Sequence, residues 1–492
     1  MRAALALLLL LGTAYALHRG KPYVREKVCQ EYRTLGKENF RTLTIIANSR
    51  KYSNATFEEI GHLVQEIVSL AETCCADGAD PSCYDARSSA LSAKSCSADS
   101  PFPDHPDTAK CCAQEGLERK LCQADLQHPP QPVPRYVQPS DEELCQAFKK
   151  DPKEFADRFL YEYSSSYSQA PLPVLLGSTK TFLSMVSTCC ISPTPTACFL
   201  KEKLQRKTIS LLTLISNRVC SRFSAYGKDK VTASYLSSLA QKVPTATFED
   251  LFPLAEEAAE AFSQCCEAEA EDCMQEKLSE HTTKACAALS ARDERIADCC
   301  KGGNLVQNYF CILNLPPVPS PSLPLAPELT NKELCSEEGP LKATRRVLPM
   351  TTRLQGLFET ARRDPNLPDA ALAKLYDALE KVREECCSVK DPSACLDTER
   401  EQVGKELTPI LTASHLCWLY NKHDFLDFKK SLQKSLAQTV PENSPALLEH
   451  VLEQRASFAS TCCTPGAPPL LCAAKVNTEL GEVCQQEPCP RA

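Results

Sequence analysis

The sequence predicts an all-α protein made of tandem repeats clamped by disulfides. Three observations carry that prediction. A phrase of one cysteine, a long gap, an adjacent pair, a short gap and one more cysteine recurs five times. The long gaps show apolar residues at helical spacing. The composition, with only 15 glycines in 492 residues and much Ala, Leu, Glu and Lys, leans toward helix.

The phrase reads Cys29, Cys74-Cys75, Cys83, then Cys145, Cys189-Cys190, Cys198, then Cys220, Cys265-Cys266, Cys273, then Cys335, Cys386-Cys387, Cys395, and last Cys417, Cys462-Cys463, Cys472. Its long gap is 45, 44, 45, 51 and 45 residues, so one structural unit is used repeatedly. Adjacent cysteines do not readily bond each other, because a disulfide needs converging Cβ vectors. Each pair therefore reaches two partners. The simplest pairing sends one sulfur back across the long gap and the other forward across the short one. It predicts Cys29–Cys75 with Cys74–Cys83, Cys145–Cys190 with Cys189–Cys198, Cys220–Cys266 with Cys265–Cys273, Cys335–Cys387 with Cys386–Cys395, and Cys417–Cys463 with Cys462–Cys472. Sequence alone leaves other connectivities open. Closing a loop of this length restricts the unfolded chain by roughly 4 kcal/mol on the loop-entropy argument.

In chain order, Arg2, the apolar run Ala3–Leu11 and Ala14-Tyr15-Ala16 read as a secretory signal peptide, residues 1–16. Thirty cysteines fit the oxidising compartment it implies. From Lys37 to Tyr52, Phe40, Leu43, Ile46 and Ala47 have helical spacing. Thr56-Phe57-Glu58-Glu59 is a capping box opening a helix whose apolar positions run from Phe57 to Ala71 and into Cys74-Cys75. Each long gap thus reads as a helical hairpin. Thr247-Phe248-Glu249 repeats Thr56-Phe57-Glu58 at an offset of 191 residues, as Cys220 repeats Cys29, and Cys417 follows Cys220 by 197. The larger period, of two phrases, divides the mature chain at 17–208, 209–402 and 403–492. The first two repeats hold an extra segment, predicted to close as Cys96–Cys112 with Cys111–Cys122 and as Cys286–Cys300 with Cys299–Cys311. Proline-rich connectors at 129–139 and 316–327 split each into halves. The third repeat stops after one phrase, and Cys484 and Cys489 are left to bond each other.

The net charge of −8 argues against nucleic acid as a partner. No later stretch is long and apolar enough to span a membrane. The eight histidines show no metal-ligand spacing, so no metal and no cofactor are assigned. The sequence holds neither a nucleophile elbow nor a phosphate loop, and cysteines that are all oxidised leave no thiol nucleophile, so no enzymatic activity is expected. A secreted esterase is the rival of another class. Asn54-Ala55-Thr56 is a glycosylation sequon at Asn54, although Thr56 also serves as a cap. Trp418, the only tryptophan, is expected in the core of the third repeat beside Cys417.

The double-cysteine tandem, with the strings Cys74-Cys75-Ala76-Asp77-Gly78-Ala79-Asp80-Pro81, Ser89–Cys96 and Glu115–Cys122, resembles the serum albumin family across the mature chain. The third repeat, cut to half length, resembles members of that family with a truncated third domain. The resemblance implies three albumin-like helical domains in a secreted, monomeric plasma carrier. It implies a cleft in the first domain for vitamin D sterols, capture of monomeric actin, uptake through megalin and cubilin, and weaker binding of fatty acids. It places the cleft at Val28, Phe40, Leu43, Ala47, Asn48, Lys51, Tyr52, Leu91, Ser92, Ser95 and Gln123. A secosteroid is a long apolar body with a hydroxyl at each end, so an apolar groove with a few placed polar groups suits it. Ser92 and Ser95, three apart, share a helix face. Taken alone they read as surface serines; the resemblance makes Ser92 a hydroxyl partner. Asn48 stands where sterol-binding members can carry a tyrosine, and its shorter amide needs a bridging water. Gln123 stands where a methionine can occur, and its backbone carbonyl can still accept. Sterol binding is therefore expected to persist, weakened or shifted in preference. The rival carriers are one for fatty acids or thyroid hormones and one that mainly scavenges actin. For actin, Arg362-Arg363 and Lys429-Lys430 are basic pairs that read first as solvated surface.

Overall fold

The computed structural model describes residues 21–126, 136–267, 270, 272–318, 348–387, 389, 392–438, 445–464, 467 and 469–481. Residues 1–16, read above as a signal peptide, Cys335, Cys484, Cys489 and most of both proline-rich connectors lie outside them. Among the described residues every regular element is a helix. The chain packs as two compact units, Met1–Ser221 with Gln264–Lys277 and Arg222–Ser263 with Leu278–Ala492.

The first repeat begins with α1 (Lys21–Lys51), α2 (Phe57–Cys74), α3 (Cys83–Lys94), α4 (Thr108–Cys112) and α5 (Gly116–Asp125). It continues with α6 (Asp141–Lys150), α7 (Pro152–Ser166), α8 (Leu172–Cys189) and the long α9 (Pro195–Lys242). α1 is two helices joined at Gly36, whose φ of 72° lies in the left-handed region that L side chains avoid. α9 kinks at Gly227 with the same φ, 191 residues later. The superrepeat thus extends to backbone geometry, and glycine serves the same break in both copies.

α2 starts where the sequence places a cap. Thr56 accepts from the Glu59 amide and the Glu59 carboxylate accepts from the Thr56 amide, a complete capping box. One face of α2, with Ile60, Leu63, Val64, Ile67, Val68 and Ala71, is buried. It packs with Phe40, Leu43, Ile46 and Ala47 of α1 in one core, where each large aliphatic or aromatic side chain contributes about 1.5–3 kcal/mol. A second core in this unit gathers Leu144, Phe159, Phe182, Met185 and Phe199 from α6 to α9. Ser140 caps α6 with a further capping box, and Asp151 caps α7, with Pro152 in its first turn.

The remaining helices are α10 (Phe248–Glu267), α11 (Cys273–Leu289), α12 (Glu294–Cys300), α13 (Leu305–Leu313), α14 (Leu348–Arg363), α15 (Asp369–Cys386), α16 (Pro392–Lys422), α17 (Phe425–Leu436), α18 (Pro445–Cys462) and α19 (Pro469–Gly481). The second unit has one core around Leu236, Leu251, Leu289, Leu357 and Phe358. Another lies around Leu416, Phe428, Leu432, Phe458 and Val476.

Among the described residues, disulfides close four of the long gaps and all five short ones. Cys29–Cys75, Cys145–Cys190, Cys220–Cys266 and Cys417–Cys463 span the long gaps. Cys74–Cys83, Cys189–Cys198, Cys265–Cys273, Cys386–Cys395 and Cys462–Cys472 close the short ones. Cys96–Cys112, Cys111–Cys122, Cys286–Cys300 and Cys299–Cys311 close the extra segments. Cys387 is also disulfide-bonded.

Trp418 departs from expectation. It is 42% exposed, stacked against His415 with the Lys422 ammonium over its ring. The core face of α16 carries Ala413, Leu416 and Cys417. Each residue along a helix is turned about 100° from the last, so Trp418 lies about 200° round from Leu416, on the side away from Ala413 and Leu416, and faces outward. Both basic pairs have intramolecular partners: Arg362 and Arg363 meet Glu359, Lys429 meets Glu453 and Lys430 meets Asp427.

Candidate ligand-binding site

α3 sets the geometry of the site. Asp85, Ser88, Leu91, Ser92 and Ser95 recur every three or four residues, so they form one stripe that lines a cavity in the first unit. α5 faces this stripe with Leu117, Lys120 and Gln123, and the opposite wall is apolar, with Leu63, Ile67, Phe102 and Leu126. The cavity volume is about 70 Å³, well below the roughly 300 Å³ at which small-molecule pockets begin. A sterol-sized molecule seats there only if side chains move aside.

Two polar stations cross from α3 to α5. At the first, Lys120 Nζ donates to Asp85 Oδ1 at 3.0 Å, to Ser88 Oγ at 2.9 Å and to the Asp85 carbonyl at 3.4 Å. Lys120 is buried, and these acceptors offset the desolvation of its charge. At the second, Ser92 Oγ donates to Gln123 Oε1 at 2.6 Å. Gln123 Nε2 donates to Ser95 Oγ at 2.8 Å and to the Ser92 carbonyl at 3.2 Å, with Cys96 Sγ at 3.4 Å. Cys96 and Cys122, the neighbours of Ser95 and Gln123, are bridged to the adjacent pair Cys112 and Cys111. Sulfur therefore holds the second station in register.

Lys51, the last residue of α1, secures α5 from behind. Its buried ammonium donates to the carbonyls of Gln123 and, at 3.1 Å, Ala124. These are carbonyls at a helix C-terminus, which lack intrahelical partners and favour a cation. Burial pushes Lys51 down to about 7, against the opposing pull of Asp125. Arg50 beside it is lowered by burial to about 10 and donates to the Ser168 carbonyl at 2.9 Å.

Of the eleven candidate residues, the structure brings Tyr52, Leu91, Ser92, Ser95 and Gln123 to the cavity wall. Val28, Phe40, Leu43 and Ala47 pack in the α1–α2 core instead. Lys51 touches the site through the backbone of Gln123. Asn48 is 1% exposed; its Nδ2 donates to the Thr44 carbonyl at 2.8 Å, and its Oδ1 is buried without a hydrogen-bond partner. Sequence reasoning missed Asp85, Ser88 and Lys120. Their signal was present for Asp85 and Ser88, which continue the Ser92–Ser95 stripe two turns and one turn earlier, but not for Lys120, whose partner is 35 residues away. Asn54, the sequon residue, is exposed.

A second cavity in this unit, of 320 Å³, lies along α6 and α7, lined by Tyr136, Leu144, Phe155 and Phe159 together with Lys150, Arg158, Asp151, Glu154 and Glu162. It contains none of the eleven residues.

The helical hairpins, their bridges and this cleft define a disulfide-clamped helical protein of the albumin type. The model of the serum albumin family matches residues 27–199 and 218–396, and that of vitamin D binding protein domain III matches 415–479. The chain belongs to the serum albumin family. Within it, the chain is similar over its whole length to vitamin D-binding protein. It is 46% identical to that of Mus musculus over 486 residues, covering 99% of this chain and 100% of the relative. It is 45% identical to that of Homo sapiens, covering 98% and 100%. To albumin of Mesocricetus auratus it is 26% identical, covering 97% of this chain and 79% of that protein.

Proposed function

We propose that the chain is an extracellular carrier that reversibly binds vitamin D sterols, 25-hydroxyvitamin D and related metabolites, in the cavity between α3 and α5. One observation carries the reading: a cavity with an apolar wall of Leu63, Ile67, Phe102 and Leu126 presents the polar groups of Ser92, Ser95 and Gln123 on its other side, which suits an apolar molecule with a hydroxyl placed to meet them. Likeness to vitamin D-binding proteins over the whole chain supports it. The mechanism is burial of apolar surface with exchange of hydrogen bonds, and no bond is made or broken. Titration of the purified protein with radiolabelled 25-hydroxyvitamin D tests it; saturable one-site binding is expected, and no binding sinks it.

Capture of monomeric actin and uptake through megalin and cubilin belong to the same proposal and rest on the family resemblance. Titrations repeated with monomeric actin present test the first. Weaker fatty-acid binding suits the second cavity, where Lys150 and Arg158 stand among aromatic residues. Three carboxylates line it as well, which places that ligand class second.

A further inference from the structure

The polar station at Ser92 and Ser95 is already occupied from within the protein. We propose that the Gln123 side chain is an internal competitor for one ligand hydroxyl, and that it thereby sets which sterols the cavity prefers. The inference rests on the sterol reading.

Gln123 saturates both serines. The Ser92 proton goes to Gln123 Oε1. The Ser95 proton goes to the Ser92 carbonyl at 2.8 Å, and the Ser95 oxygen accepts from Gln123 Nε2. The same amide adds space-filling atoms to a cavity of only 70 Å³. Its backbone is fixed, by Lys51 on the carbonyl and by the neighbouring Cys122 in a bridge, so the side chain is what can move.

The consequence concerns selectivity. A hydroxyl both donates and accepts, so a ligand hydroxyl can take over the contacts to Ser92 and Ser95 once the amide swings away. The gain is only the difference between two comparable sets of hydrogen bonds, less the cost of moving Gln123. A ligand lacking that hydroxyl leaves Gln123 in place, and no buried serine is then unpaired. Without Gln123 the missing hydroxyl would leave the buried Ser92 Oγ without its acceptor, while Ser95 still donates to the Ser92 carbonyl; a site built to pair a hydroxyl rejects the analogue that lacks it. Gln123 therefore weakens binding of the hydroxylated ligand and tolerates the analogue without it.

The experiment compares the full-length protein with Gln123→Met and Gln123→Ala, using 25-hydroxyvitamin D3, vitamin D3 without the 25-hydroxyl, and a 3-deoxy analogue. Circular dichroism confirms folding of each variant, and the alanine variant guards against a misfit of the methionine. Both variants should bind 25-hydroxyvitamin D3 about five-fold more tightly. The gain should vanish with whichever analogue lacks the hydroxyl that reaches Ser92. Weaker binding by both variants, or an equal gain for all three ligands, overturns the proposal while leaving the carrier function standing. No binding of any sterol by the unaltered protein removes the carrier function, and this inference with it.

Discussion

Ser92 Oγ and Gln123 Oε1 meet at 2.6 Å and so join two helices whose flanking cysteines are bridged through one adjacent pair. The position of this contact follows from the double-cysteine segment, since Cys96 and Cys122 fix the ends of α3 and α5. Replacing Ser92 by alanine removes both a hydroxyl for ligand and a partner of the amide. The affinity for 25-hydroxyvitamin D should fall by less than about five-fold, because the ligand contact that is lost is offset by the Gln123 contact that no longer has to be broken, each worth about 1 kcal/mol. Equilibrium binding with Ser92→Ala measures it.

Lys51 predicts a pH dependence. Its folded value of about 7 lies below the ordinary 10.5, so between those limits the unfolded chain holds the proton and the folded chain does not. Stability from this group is fully present above 10.5 and is lost as the pH falls through 7. Between pH 7 and 10 the unaltered protein should gain roughly 3 kcal/mol relative to Lys51→Met. Urea midpoints of the two proteins across that range provide the check.

His281 predicts the acid side. It is fully buried, with Nε2 2.7 Å from the Tyr235 hydroxyl, and burial lowers it from 6.5 to about 4. Its contribution is present above 6.5 and lost as the pH falls through 4, worth roughly 3 kcal/mol. His281→Gln should flatten the stability profile between pH 6.5 and 4 in thermal or urea unfolding.

The kinks at Gly36 and Gly227 make a backbone prediction. Both have φ of 72°, and nothing stands within 4 Å of an added Cβ at either. With ψ of 165° and 174° both lie in a backbone region that is essentially reserved for glycine, so alanine should cost about 1–3 kcal/mol at each position from backbone strain alone. The two costs should be similar, as befits equivalent positions of a repeat. Chemical denaturation of Gly36→Ala and Gly227→Ala tests this.

Much of this was legible in the chain because it is local or periodic. The capping box at Thr56 needs four consecutive residues, and the helical hairpins need only apolar spacing between cysteines. Ser92 and Ser95 could be put on one face by counting. What stayed hidden depends on contacts between distant segments. Lys120 reads as a surface lysine until Asp85 and Ser88 are brought to it. Gln123 reads as a passive departure until its amide is seen between two serines. Val28, Phe40 and Leu43 look like cleft residues or core residues equally well, since both environments select apolar side chains. Trp418 faces outward although it adjoins Cys417, because its place on the helix lies opposite Ala413 and Leu416.

The central claim is that a vitamin D sterol occupies the α3–α5 cavity. Leu91 lines that cavity and is partly buried, so Leu91→Trp fills it from the wall. Titration of labelled 25-hydroxyvitamin D into the unaltered protein and into this variant, both shown folded by circular dichroism, is the most direct test. Saturable binding that weakens at least about ten-fold in the variant, equivalent to roughly 1.4 kcal/mol, is the predicted result. Equal affinity for the two proteins would contradict the account.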